Sequence, residues 1–95
     1  MGSFEWDEAK SERLMRTRGI SFEHIESAIN SGGLLANTPH PNSKKYPHQR
    51  MLAVRIDTQV FGVPCVQKDE ETYFLKTAYP SRKLTKRLLQ NNMNI

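Results

Sequence analysis

The segment Tyr79-Pro80-Ser81-Arg82-Lys83-Leu84-Thr85-Lys86-Arg87 gathers cations where a helix should begin. Pro80 stops a strand-like run, Ser81 is a good N-cap, and Leu84 with Leu88 forms an apolar seam, so Arg82 and Lys83 fall in the first turn. A helix start is electropositive, and a cation there costs about 0.3–1 kcal/mol. Arg82/Lys86 and Lys83/Arg87 are also like-charge pairs four residues apart, each costing about 0.2–0.5 kcal/mol. A bound phosphate would reverse both signs, since cations and free amides would then share one anion. The plainer reading is a polar helix face beside the Leu seam. The conflict with local electrostatics favours the phosphate.

A second basic stretch, His40-Pro41-Asn42-Ser43-Lys44-Lys45-Tyr46-Pro47-His48-Gln49-Arg50, mixes cations, imidazoles and an aromatic ring. Single-stranded RNA suits that mixture, because rings stack on bases and cations meet phosphates. Lys44, Lys45, Tyr46 and Arg50 are the RNA-binding candidates here, with Lys86 and Arg87 in the C-terminal segment. A solvated loop collects the same residue types. His40 and His48 have no carboxylate or thiol close in sequence, so neither a metal site nor a cofactor is expected. No Gly-rich phosphate loop, nucleophile elbow or zinc-protease motif is present. His24, between two glutamates, reads as a surface residue, and Cys65 as core.

These segments must be held by a small scaffold. Ninety-five residues predict one domain over 1–95, able to bury roughly 60–65% of its unfolded surface. The longest near-apolar stretch, Val60 to Val66, is far short of the roughly 20 residues that span a bilayer. Acids at Glu5, Asp7 and Glu8 stand where a signal peptide would be basic and then apolar. The lone Cys65 permits no internal disulfide, so a reducing cytoplasm is the default compartment. The formal charge of +4 is segregated: residues 27–56 and 72–95 contain no acid and carry +4 and +5, against −2 for 1–26 and −3 for 57–71. Two acid-free blocks in a small chain point to a polyanion or an acidic protein as partner.

Apolar periodicity gives the order of elements. Phe4-Glu5-Trp6 reads as a first strand. Asp7 caps a helix that Gly19 closes, with Arg16 and Arg18 in its basic last turn. Ser21 caps a second helix, with Phe22, Ile25, Ala28 and Ile29 on one face, ending at Gly32-Gly33. Leu34-Leu35 is a short strand or a linker, and residues 37–48, with three prolines, read as a long loop. Strands follow over 50–56, 59–67 and 72–79; Leu52, Val54 and Ile56 share a face, and Pro64 demands an edge or a bulge. The class is α+β, with two N-terminal helices packed on a small antiparallel sheet and a basic C-terminal helix.

The run Phe4-Glu5-Trp6-Asp7-Glu8-Ala9-Lys10, followed by Arg18-Gly19-Ile20-Ser21-Phe22-Glu23, resembles the opening of the BrnT-like toxins of bacterial type II toxin–antitoxin pairs. Those begin with F-x-W-D-x-x-K and continue through a basic-Gly-[IV]-S-F-E step. Ser81-Arg82-Lys83-Leu84-Thr85 is similar to their S-A-R-R-A-T segment, and the resemblance covers about residues 4–90. Where the family continues with a Glu-rich helix and a Tyr, this chain has Lys86-Arg87-Leu88-Leu89-Gln90. The His40-to-Arg50 loop is also longer and richer in proline. The resemblance implies a RelE/ParE-related fold, a ribonuclease activity that blocks translation, and a cognate antitoxin, often a ribbon-helix-helix DNA-binding protein.

On that reading the protein is a metal-independent endoribonuclease. The RNA 2′-hydroxyl attacks its own phosphate, which needs a base, an acid for the leaving oxygen and cations for the developing charge. Arg82 is the foremost phosphate-stabilising candidate, with Lys83 and Lys86 in support and Lys76 on the preceding strand. His48 or Tyr79 would move the proton, and the residues do not choose between them. The expected partners are RNA, with the ribosome as a further candidate, and the antitoxin. The rival is a non-catalytic toxin or binding module: a gyrase- or DNA-directed inhibitor, or a protein that binds an antitoxin without cleaving RNA. The two acid-free blocks predict single-stranded RNA binding that weakens steeply with salt; equal affinity at low and moderate salt would contradict the electrostatic argument.

Overall fold

A computed structural model of the protein describes residues 2–90. The chain runs β1 (Ser3–Glu5), α1 (Glu8–Arg18), α2 (Phe22–Ala28), β2 (Leu34–Pro39), β3 (Gln49–Ile56), β4 (Gln59–Gln67), β5 (Thr72–Leu75), β6 (Tyr79–Pro80) and α3 (Arg82–Thr85). Single π-helical turns continue α2 over Ile29–Gly33 and α3 over Lys86–Gln90. The sheet has the order β1-β5-β4-β3-β2, and β6 pairs with β4 beyond the end of β5. The class is α+β. The end of the basic 72–95 block, residues 91–95, lies outside the described residues.

Local chemistry explains the two N-terminal helices. Asp7 accepts from the Ala9 and Lys10 amides at 2.9 and 3.2 Å, and Gly19 takes the left-handed turn at φ 70° that a side chain would resist. Ser21 caps α2, and His24 completes the box by accepting from the Ser21 amide at 3.1 Å, a role that its position between two glutamates does not reveal. Both helices lie on one face of the sheet. Leu52, Val54, Phe61, Val63, Cys65 and Leu75 meet Leu14, Ile20, Phe22 and Ile25 there, and the alternation expected in β3 places its apolar face under the helices.

Four expectations are corrected. The sheet is mixed, because β1 pairs with β5 in parallel while the other ladders are antiparallel. No hairpin joins β1 to β5; most of the chain intervenes, so the antiparallel rule of hairpins does not apply. The loop expected over 37–48 begins only at His40, since β2 runs through Asn37, Thr38 and Pro39 on an edge, where proline is tolerated. The strand expected over 72–79 is interrupted at 76–78. The second helix stops being α-helical at Ala28 and widens before Gly32.

Ser11 joins the two helices. Its side chain is 1% exposed; it donates to the Glu23 carboxylate at 2.8 Å and accepts from the Phe22 amide at 3.0 Å. That bond is the foremost cause that holds the Glu23 carboxyl below its ordinary pKa. A depressed carboxyl contributes stability that is present above its unfolded pKa and is lost as pH falls through the folded value. Ser11→Ala strands the buried Phe22 amide and should cost about 1–3 kcal/mol. Thermal melting should show that loss at neutral pH, with a smaller difference from the parent once acid has protonated Glu23. An unchanged melting temperature at neutral pH would refute the role.

Candidate phosphate-binding site

Pro64 decides how the candidate site is built. It sits in β4, a central strand, opposite Met51 of β3. Along β4 the even-numbered residues turn their backbone groups towards β5 and β6: Val60 O accepts from Ser81 N at 2.9 Å, and Pro64 O from Lys76 N at 2.9 Å. Proline has no N–H to return. The ladder therefore resumes one residue out of step, from Cys65↔Leu75 to Gly62↔Tyr79. The expectation of an edge or a bulge at Pro64 holds as a bulge, carried by residues 76–78 of the facing strand.

Past the bulge, two hydroxyls fasten the basic segment to the sheet. Ser81 Oγ accepts from the Leu84 amide at 3.1 Å. Thr85 Oγ1 accepts from the Val60 amide at 2.8 Å and donates to the Ser81 carbonyl at 2.7 Å. Val60 is fully buried, so its amide needs that partner. The helix thus docks on β4 through Thr85. Arg82 and Lys86 line a groove of about 520 Å³ with Gln59, Pro80, Ser81 and Thr85. Arg82, Lys83, Lys86 and Arg87 are exposed and form no ion pair among the described residues, where Lys68–Glu5 is the one such pair. The cations stand at the start of a helix that continues through Gln90, so the helix dipole and repulsion between like charges both act against them.

Tyr79 and Lys76 lie on the same run of chain. The Tyr79 ring covers Gly62 so closely that a Cβ there would stand 2.8 Å from the ring, which explains a glycine in a central strand. Its hydroxyl ends 3.9 Å from Met51 Sδ, a weak partner that leaves it free for other bonds. Lys76 is exposed at the bulge.

The second basic segment lies elsewhere. The His48 carbonyl accepts from Gln67 N, whereas Ser81 N reaches Val60 O. Those two points on β4 are about 24 Å apart at about 3.4 Å per residue. The structure therefore brings Arg82 and Lys86 together in one groove and does not bring His48 to it; Tyr79 and Lys76 lie earlier on the same run of chain, beside Gly62 and Pro64 of β4. Lys44 and Lys45 are exposed in the loop; Tyr46 already packs on His40 at 4.7 Å between ring centres, with Lys45 Nζ 5.4 Å from its ring. Arg50 is half-buried, its Nε and Nη2 donating to the side chain and carbonyl of Asn37. Cys65 is buried, and desolvation pushes its thiol up to about 11, which makes it a poor nucleophile. Among the described residues, no three His, Cys, Asp or Glu side chains converge as a metal site.

Sequence reasoning missed Gln59, Thr85 and Asn37. Gln59 follows a turn and carries no signal. Thr85, four residues after the capping Ser81, has the spacing of a threonine that bonds back along its helix. Thr85→Val should leave the buried Val60 amide unpaired and lower stability by about 1–3 kcal/mol, while Thr85→Ser should keep both bonds and most of that stability. Melting both variants checks this; equal melting temperatures for Val and Ser would show that the hydroxyl does not hold the helix.

Residues 11–80 match the family described as Domain of unknown function (DUF4258). No curated protein sequence matches the chain. Among solved structures, the Brucella abortus ribonuclease toxin BrnT is similar, with a TM-score of 0.60 over 85% of this chain and 97% of that one, at 14% identity. The two therefore share a fold, as the opening motifs imply. Since the family match covers well over half of the chain, the protein belongs to the DUF4258 family.

Proposed function

We propose that the protein is a ribonuclease toxin of a type II toxin–antitoxin pair, a single domain of RelE/ParE-related type acting in the cytoplasm. The observation that carries this reading is the fold shared with a ribonuclease toxin over nearly the whole of that chain. It is joined by the groove at the C-terminal helix, where Arg82 and Lys86 have no acid to neutralise them among the described residues. In this reading a scissile phosphate sits against Arg82, with Lys83 and Lys86 adding positive field and Lys76 approaching from the strand. As the RNA 2′-hydroxyl attacks, charge grows on the phosphate oxygens and the guanidinium fork stabilises it. Tyr79 is the better proton-moving candidate, because it lies on the same run of chain as Arg82 while His48 is a strand length away. The loop over 40–48, with Lys44, Lys45, Tyr46 and His48, holds a distant part of the RNA together with Arg50 at the start of β3. No cofactor is required. An acidic surface of a ribbon-helix-helix antitoxin would cover the same cations, and the ribosome is a further candidate partner.

One observation favours the second reading, a toxin or binding module that does not cleave RNA. Among the described residues the groove is lined by Gln59, Pro80, Ser81, Arg82, Thr85 and Lys86, none of them a carboxylate or an imidazole. A gyrase- or DNA-directed inhibitor, or a protein that only holds its antitoxin, needs the cations without a base. Inducible expression, with growth, RNA integrity and translation followed over minutes, separates the two. Growth arrest with cleaved RNA supports the ribonuclease; arrest with intact RNA supports the second reading. Arg82→Ala should melt within a few tenths of a kcal/mol of the parent while cleavage falls about 10²–10³-fold. Arg82→Lys should recover only part, because an ammonium cannot hold two phosphate oxygens as a fork does. A fully active, normally folded Arg82→Ala would move the site elsewhere.

A further inference from the structure

Arg18 stands in the last turn of α1, where a cation meets the electronegative end of the helix. Yet its Nη1 donates to the carbonyl of Ala78, sixty residues along the chain. That carbonyl belongs to the bulge created by Pro64. Two residues of β4, Val63 and Pro64, face three residues there, Lys76 to Ala78, so one peptide of the strand falls out of the ladder. Ala78 is fully buried, and a buried carbonyl outside the ladder needs a donor. A charged donor is the stronger kind. Arg18 has no carboxylate partner among the described residues to divert it.

We propose that Arg18 is a positioning residue of the candidate site, holding through the Ala78 carbonyl the peptide from which Tyr79 and Arg82 are hung. This rests on the ribonuclease reading. The amide shared by Ala78 and Tyr79 is gripped on its carbonyl side by Arg18, while Tyr79 itself pairs with Gly62. From there the chain passes through Pro80 to Ser81, which bonds Val60, and so to Arg82. Arg18 before Tyr79 and Thr85 after Arg82 thus flank the backbone bonds that tie the run to Gly62 and Val60. Without Arg18, the bulge can relax, and a displacement of about 1 Å at reacting groups costs about 10²-fold in rate. Arg18 touches no substrate in this arrangement. Its helix lies on the core face of the sheet, and its bonded partner is backbone.

The clamp uses one N–H on a carbonyl, not a fork on a phosphate. Lysine should therefore replace arginine at position 18, although it fails at position 82. The test compares Arg18→Gln and Arg18→Lys with the parent, using a single-stranded RNA oligonucleotide and the same sequence with 2′-deoxy sugars, which binds without being cleaved. Arg18→Gln should lower kcat at least about tenfold and leave the deoxy oligonucleotide's Kd within about twofold, since a positioning group acts on the reacting geometry rather than on binding. Arg18→Lys should restore kcat to within about threefold. Amide hydrogen exchange should quicken over residues 77–82 in the Gln variant and return to the parental rate in the Lys variant, with α1 unaltered in both. If Arg18→Gln does not fold, the Lys variant decides: parental kcat supports the clamp, and a folded Lys variant as slow as Arg82→Ala overturns it. A parent that cleaves RNA beside an equally active Arg18→Gln overturns this role alone. A parent that leaves RNA whole overturns the ribonuclease reading and this role with it.

Discussion

One missing hydrogen-bond donor shapes the functional half of this molecule. Pro64 lies in the middle of the sheet, where every residue is expected to give an N–H and receive one. It can receive but not give. The strand that faces it is broken into β5 and β6, its register slips by one, and residues 76–78 bow out. A proline in a central strand would ordinarily argue against the strand. Here its cost is offset by side-chain bonds from outside the ladder, Arg18 on the carbonyl of Ala78 and Thr85 on the amide of Val60, while the Lys76 amide still reaches the Pro64 carbonyl.

The same break frees the end of the sheet for chemistry. The Tyr79 ring covers Gly62 because no side chain occupies that position, and the chain then turns into a basic helix instead of continuing as a strand. Among the described residues the cations of that helix have no acid partner, an arrangement that stands at odds with local stability and in accord with an anionic ligand. On the opposite face the molecule is conventional. The helices cover an alternating apolar surface, and Ser11, the one buried polar side chain among the described residues, satisfies Glu23 and the Phe22 amide together. The helix layer and the candidate site meet at Arg18, so the packing of α1 and the geometry of residues 76–82 are coupled through one guanidinium.

Much of the scaffold was legible from the chain because its signals are local. Asp7, Gly19, Ser21 and Ser81 mark helix ends by side-chain chemistry that acts within a few residues, and each stands at such an end. The alternation of Leu52, Val54 and Ile56 identified the buried face of β3, and Pro64 announced an irregularity in β4. The opening motifs pointed to the fold shared with a ribonuclease toxin. The direction of β1 beside β5 was not legible, because nothing local distinguishes a parallel neighbour from an antiparallel one across nearly seventy residues.

The sequence by itself determined the elements, the charge segregation and the basic helix start, since propensity, capping and formal charge are properties of neighbours along the chain. Only the tertiary structure decided which basic residues share a place. Arg82 and Lys86 line one groove, whereas the loop over 40–48 is carried to the far end of β4. It also recruited Gln59 and Arg18, whose residue types gave no warning of a role, and aimed Thr85 at the Val60 amide. The physical reason is that hydrogen bonds across a sheet depend on register, and register here was reset by a single imide nitrogen that the sequence displays but whose partners it does not name.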